Sequence, residues 1–320
     1  MTYFTATLFN ILVLTALIVP GFLLKKTNLV SDRAVKDFSS VLLYVGTPFL
    51  IFSTMLSTDI YSVGWLNILL CILLSVAVHF IGIGLGFLVS IKDKEKARKN
   101  ICAFSSAFSN CGFLGIPLTY VVVPEEMRGE AMLYVTLFNV VFNFLTWILG
   151  EIIFVEKEKR SRASIIKAVL NPCTIGFLLA LPFVFAGLDL TKVDYVGSFI
   201  SYLVGICVPV SMLVLGLRVG SMSIKAMAKN KYTYVTIALR LIVVPLITLG
   251  TAVLLKLTFG VTNAFILSLT IVAAMPTAST AIAFAEKFNA DSMLAAEAVV
   301  ATTLMSVVTV PLIMLLVSVI

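Results

Sequence analysis

Ten mostly apolar runs follow one another through this chain, at about residues 4–24, 37–56, 65–90, 100–122, 130–154, 165–186, 196–219, 232–257, 262–287 and 293–319. Each is close to the ~20 residues an α-helix needs to cross the hydrocarbon core of a bilayer. Lipid offers the backbone no hydrogen bonds, so runs of this length must close their own N–H and C=O groups as helices. Composition agrees: 60% of the 320 residues are hydrophobic and 12% are charged, against ~45–50% and ~25% in soluble domains. A water-soluble enzyme, a disordered chain and a collagen-like chain are excluded on that ground. The predicted fold class is an all-α integral membrane protein with ten transmembrane helices. The first run has no basic residue ahead of it and exceeds a signal-peptide core in length, so it is expected to remain as a span.

The charges orient these spans. Lys and Arg number 23 against 16 Asp and Glu, but they sit in short clusters between apolar runs, which is a topology signal rather than a nucleic-acid surface. Connection 1–2 holds Lys25, Lys26, Arg33 and Lys36, and connection 3–4 holds Lys92, Lys94, Lys96, Arg98 and Lys99. Connection 5–6 holds Lys157, Lys159, Arg160, Arg162 and Lys167; connection 7–8 holds Arg218, Lys225, Lys229 and Lys231; connection 9–10 adds Lys287. Arg128, Lys192 and Lys256 fall on the opposite side, and Arg240 lies within a span. Because Lys and Arg collect in cytoplasmic loops, both termini are expected to be extracellular, in a multi-pass protein of the cell (plasma or inner) membrane. Cys71, Cys102, Cys111, Cys173 and Cys207 lie inside apolar runs with no CxxC and no Cys/His pairing. They read as small buried hydrophobes, and no metal site is expected.

The two halves resemble each other. Gly21-Phe22-Leu23-Leu24 recurs as Gly176-Phe177-Leu178-Leu179, Pro48 matches Pro209, the break near Gly112 matches Pro276, and Glu130-Ala131 with Thr136-Leu137 matches Glu297-Ala298 with Thr303-Leu304. The offsets drift slowly, from 155 through 161 and 164 to 167. Residues 1–154 are read as a first five-helix repeat, 155–164 as a short cytoplasmic linker, and 165–320 as the second repeat. Five is odd, so the second repeat enters the membrane upside down. Inverted repeats with broken helices are the architecture of secondary transporters, whose substrates bind near the midplane at the breaks.

Two spans carry such breaks. The fourth reads Ser105-Ser106-Ala107-Phe108-Ser109-Asn110-Cys111-Gly112-Phe113-Leu114-Gly115-Ile116-Pro117, and the ninth Ala274-Met275-Pro276-Thr277-Ala278-Ser279-Thr280. Proline removes a backbone donor and glycine weakens the helix. Asn110 is expected to cap the second half of span four. Counted at ~1.5 Å per residue, Asn110 lies ~15 Å and Pro276 ~20 Å into their spans, both near mid-membrane. The half-helices that follow present N-terminal ends and spare N–H groups, which favour an anion. A pair of silent proline kinks is the bland alternative.

Span five adds Thr136, Asn139 and Asn143 on one helical face; the asparagines either bond neighbouring helices or contact substrate. Arg240, well inside span eight, needs a partner, with Glu297 or a substrate carboxylate as the expected choices. His79 is read as a packed residue, and Asp37 as a cap at the start of span two.

At Asn110-Cys111-Gly112-Phe113-Leu114-Gly115-Ile116-Pro117-Leu118 the chain resembles the auxin efflux carrier family, whose bacterial members include malate and malonate permeases. The ten-span layout matches from end to end. The resemblance implies a fold similar to the bile acid/sodium symporters, with spans 1, 2, 6 and 7 as a scaffold that can dimerise and spans 3–5 and 8–10 as a mobile transport domain. It implies an elevator-type motion, a substrate carboxylate contacted at the position of Asn110, and a crossover proline at Pro276. The long hydrophilic loop of many plant members is absent, since only about residues 155–168 separate the halves.

The reading is therefore a non-enzymatic secondary transporter of a small organic anion, a carboxylate by preference, with the bilayer as its other partner and no nucleic acid. Asn110, Cys111, Gly112, Asn139, Asn143, Pro276 and Thr277 are the substrate-site candidates, and Gly115, Pro117 and Met275 the crossover hinges. Alternatives are a sodium-coupled symporter, with Ser105, Glu297 and Thr303 as ion-coupling candidates, or a receptor or channel that binds without cycling. No P-loop or other cofactor motif is present, and no HExxH, GxSxG or paired-aspartate set offers enzyme chemistry.

Overall fold

The computed structural model describes residues 3–31, 33–155, 162–222, 227, 230–288 and 290–319. Lys157, Lys159, Arg160, Lys225 and Lys229 lie outside the described residues, as does most of the linker expected over 155–164. Among the described residues the chain is helical throughout, with one isolated β-bridge and no strand.

Among the described residues seven helices are long and apolar enough to cross a membrane: α1 Phe4–Lys26, α2 Arg33–Leu56, α3 Trp65–Val89, α6 Glu125–Phe154, α9 Asp194–Ser221, α10 Lys231–Phe259 and α13 Ser292–Val317. The remaining three apolar runs are divided. The fourth forms α4 Lys96–Ala107 and α5 Cys111–Val122, the sixth α7 Arg162–Val169 and α8 Pro172–Phe185, and the ninth α11 Asn263–Ala274 and α12 Thr280–Lys287.

The division in the sixth run departs from the expected continuous span. Asn171 starts a new helix there: its side chain accepts from the backbone N–H of Thr174 at 3.0 Å, and Pro172 occupies the first turn, where its missing donor costs nothing. The second run also begins earlier than expected, at Arg33, so Asp37 lies inside the helix. It pairs loosely with Arg33 on the exposed surface rather than capping.

Prolines shape three spans in one way. Pro48, Pro117 and Pro245 each sit two residues beyond a π-type turn, at Leu42–Gly46, Cys111–Gly115 and Leu239–Val243. A proline cannot donate to the carbonyl four residues back and its ring presses on that turn. Widening the turn by one residue relieves the clash without ending the helix.

The packing pairs helices across the two halves. α1 lies against α9, and α2 against α8. Both contacts are backbone to backbone. A Cβ added at Gly21 would collide with the carbonyl oxygen of Leu213, and one added at Gly176 with that of Pro48. α3 packs on α4 and α6, α10 packs on α11 and α13, α6 packs on α11, and α12 packs on α13. The two broken runs are thus enclosed on several sides. An aromatic group of Phe104, Phe108, Phe142, Phe154 and Phe284 fills the space around them. All five cysteines are buried and free, as expected.

Candidate functional site: the crossing of two broken helices

α4 stops at Ala107 and α11 at Ala274 because the next residues, Phe108 and Met275, turn to extended backbone. The two unwound stretches then run antiparallel past each other. Asn110 donates its N–H to the carbonyl of Pro276 at 2.7 Å, Ala278 donates to the carbonyl of Phe108 at 2.9 Å, and Ser109 stands opposite Thr277. Each break thereby supplies the backbone partners that the other needs where both are buried.

Side chains fasten this bridge. The Thr277 hydroxyl donates to the carbonyl of Ser105 at 2.9 Å, and the Thr277 N–H donates to the Thr302 hydroxyl of α13 at 3.1 Å. Ser279 shares a 2.7 Å hydroxyl pair with Ser211 of α9. Beyond the crossing both helices restart. Asn110 caps α5 through its carbonyl, which accepts from Leu114 and Gly115; its side chain makes no cap bond, contrary to expectation. α12 begins with Ala281 bonded to Ala278 and Ile282 to Ser279.

The ends of α4 and α11 meet at one side chain. Arg240 of α10 is fully buried and donates through Nη1 to the carbonyls of Ser106 (3.1 Å) and Ala107 (2.8 Å), and through Nη2 to that of Ala273. These are last-turn carbonyls, unpaired within their own helices and at the negative end of each helix dipole. The expected carboxylate partner is therefore corrected to three backbone carbonyls. Glu297 is engaged elsewhere, accepting from Asn230 at 2.6 Å. Asn230 lies ahead of α10, about 15 Å along the axis from Arg240 at 1.5 Å per residue.

A crevice adjoins the crossing, lined by Thr47 and Leu50 of α2, Asn110, Gly112 and Phe113, Asn139, Phe142 and Asn143 of α6, and Ala278 and Thr280. Its volume is about 10 Å³, room for about one water. Asn143 donates to the Asn139 backbone carbonyl at 2.7 Å and to Asn139 Oδ1 at 3.2 Å, and the Cys111 thiol approaches Oδ1 at 3.5 Å. Asn139 Nδ2 and the Thr280 hydroxyl have no partner among the described residues. A Cβ on Gly112 would come within 3.1 Å of Asn139 Oδ1, so glycine there lets α5 start hard against α6.

Of the sequence candidates, Asn110, Gly112, Asn139 and Asn143 line this crevice and Cys111 adjoins it through Asn139. Pro276 and Thr277 belong to the bridge itself. Met275 is fully buried at the end of α11, and Gly115 packs toward Val272 and Met275, with Pro117 just beyond in α5. The ion-coupling candidates are not joined: Ser105 offers its carbonyl to Thr277, Thr303 bonds its own helix at Val299, and Glu297 meets Asn230. No group of three or more His, Cys, Asp or Glu converges among the described residues. His79 packs against Phe108, Phe138 and Phe142, with Nδ1 2.7 Å from the Ser75 carbonyl. Larger hollows lie away from the crossing, one of about 310 Å³ beside Asp59, Asp189 and Lys192, and an apolar one of about 340 Å³ beside Tyr44, Phe49 and Leu179.

Sequence reasoning missed Thr302, which holds Thr277, and the α2 contribution of Thr47 and Leu50. The match of Pro48 to Pro209 marked that stretch of α2 without indicating where it faces.

A model of the membrane transport protein family matches residues 3–314 of the chain. The chain belongs to this family, that of the auxin efflux carriers. It is also similar to a protein described as an uncharacterized transporter from Methanothermobacter thermautotrophicus, 26% identical over 315 residues that cover 96% of each chain. This auxin efflux carrier family member is accordingly a multi-pass membrane protein of transporter type.

Proposed function

We propose that this protein is a secondary transporter of a small organic anion, a carboxylate, working by elevator-type alternating access. The observation that carries the reading is the crossing. α5 and α12 both start there, so two positive helix ends and Asn110, Asn139, Asn143 and Thr280 adjoin one crevice. Half-helix starts and uncommitted amide donors suit a carboxylate. Asn139 Nδ2 and the Thr280 hydroxyl supply donors that the protein leaves unused.

The ten-span inverted repeat supports the same reading. The Gly21 contact of α1 on α9 and the Gly176 contact of α2 on α8 exchange under the sequence repeat. So do the pairs α3–α4 and α10–α11. In the proposal α1, α2, α8 and α9 form the scaffold, through which two copies can dimerise. α3–α6 and α10–α13 form the moving body, and both termini are extracellular.

The crevice lies between the two bodies, with Thr47 and Leu50 on the scaffold side. At about 10 Å³ it is closed to a carboxylate, which enters when α2 and the crossing part. Ser211–Ser279 and the ion pair between Arg218 of α9 and Glu286 of α12 tie the bodies together in this state. Saturable uptake of radiolabelled malate, malonate or lactate into proteoliposomes, with and without pH and sodium gradients, tests the reading; absence of uptake for every acid contradicts it.

A further inference from the structure

Two helices that stop in mid-membrane leave last-turn carbonyls without helical partners, and both ends are negative poles. Burying such ends together calls for a compensating cation, because unsatisfied polar groups in an apolar interior are costly. A metal ion can meet that need, and so can a cationic side chain.

Arg240 is placed to meet it. Its guanidinium lies where α4 and α11 end, bonding two carbonyls of the first and one of the second. The planar fork of Arg carries several donors in fixed directions, which a single ammonium does not. One side chain thus neutralises both poles and sets their spacing. Among the described residues no carboxylate is bonded to it. Glu286 is paired with Arg218, Glu297 with Asn230, and Glu130 accepts from Tyr134 and Thr262.

We infer that Arg240 is the resident cation of the crossing, a positioning residue that takes the place of a bound sodium ion there. This rests on the transport reading only in its consequence: the carrier works without sodium at the crossing. The carbonyls of Ser106, Ala107 and Ala273 are already occupied, and a fixed charge beside them repels a second cation strongly in a low-dielectric interior. The uncommitted hydroxyls of Ser105, Ser106 and Ser109 are then poor sodium ligands despite their number.

The test is thermal unfolding of the purified full chain in detergent, in sodium, potassium and choline chloride at equal ionic strength. The wild type is expected to melt at one temperature in all three salts. Arg240→Ala is expected to melt several degrees lower, to regain part of the loss in low concentrations of guanidinium, and to be partly restored as Arg240→Lys. A sodium-specific rise in the wild-type melting temperature overturns the inference, as does an Arg240→Ala variant that melts like the wild type. If the alanine variant yields no folded protein, the wild-type salt comparison and Arg240→Lys still decide. No substrate enters these measurements, so failure of the transport reading and failure of this inference appear in different experiments.

Discussion

The backbone N–H of Asn110 donates to the carbonyl of Pro276 across 2.7 Å, joining the two broken helices where both are unwound. Neither break closes its own backbone groups; each is completed by the other, through this bond and its neighbour from Ala278 to Phe108. The two breaks are therefore held together as one unit, and in the proposed elevator-type mechanism it is a movement of α2 and α9 relative to that unit that opens the crevice.

Two threonines three residues apart separate structure from recognition. Thr277→Val removes the bond to Ser105 and is expected to lower stability by about 1 kcal/mol, the net worth of one hydrogen bond, with little change in substrate KM. Thr280→Val removes a crevice hydroxyl that has no partner among the described residues, and is expected to raise KM while the melting temperature stays near wild type. Thermal melts and uptake kinetics on both variants check the pair.

The glycines of the scaffold give a second contrast. Gly21→Ala and Gly176→Ala place a methyl against backbone oxygen, and each is expected to cost about 1–3 kcal/mol through forced separation of the helices. Gly84, in α3 with open space around it, is expected to tolerate alanine or gain up to ~1 kcal/mol from helix propensity. Detergent melts rank the three.

The Ser211–Ser279 contact, 2.7 Å between hydroxyls, joins the proposed scaffold to the crossing. A Ser211→Cys/Ser279→Cys variant, oxidised, is expected to lose uptake and to recover it on reduction. Crosslinked protein that still transports at the wild-type rate contradicts a sliding movement between these elements. The five native cysteines are buried, which keeps the background of the oxidation low.

Asn139→Ala leaves Asn143 its 2.7 Å bond to the backbone carbonyl of residue 139, so the local fold is expected to persist. Loss of the Nδ2 donor, which has no partner among the described residues, is expected to weaken substrate binding by about tenfold or more, since one hydrogen bond to a charged group is worth ~1.5–3 kcal/mol and ~1.4 kcal/mol is a factor of ten. Uptake kinetics set against a melting curve distinguish this from general destabilisation.

Much of this was legible in the chain, and the reasons are physical. Long apolar runs admit only helices in lipid, and the polar stretch Ser109-Asn110 ahead of Gly112 and the Pro276-Thr277 pair interrupt two of them. Both discontinuities were therefore readable from residue type, while Pro117 lies inside α5 and only accompanies a widened turn. The break at Asn171 was signalled by Asn-Pro but masked by the apolar residues on either side. Arg240 was readable as a buried charge in need of a partner. Its true partners are backbone carbonyls, which every residue carries, so nothing in the sequence marks Ser106, Ala107 or Ala273 as special. Thr47 and Leu50 were invisible for a related reason: which face of α2 meets the crossing depends on packing between helices far apart in sequence.

The most direct test of the central claim is uptake of radiolabelled organic acid into proteoliposomes by the wild type and by Asn110→Ala. Asn110 lines the crevice and its side chain makes no cap bond, and its backbone bonds survive the substitution. The account predicts saturable uptake by the wild type and its loss in a variant that melts near the wild-type temperature. Unchanged uptake by Asn110→Ala would contradict an anion site at the crossing.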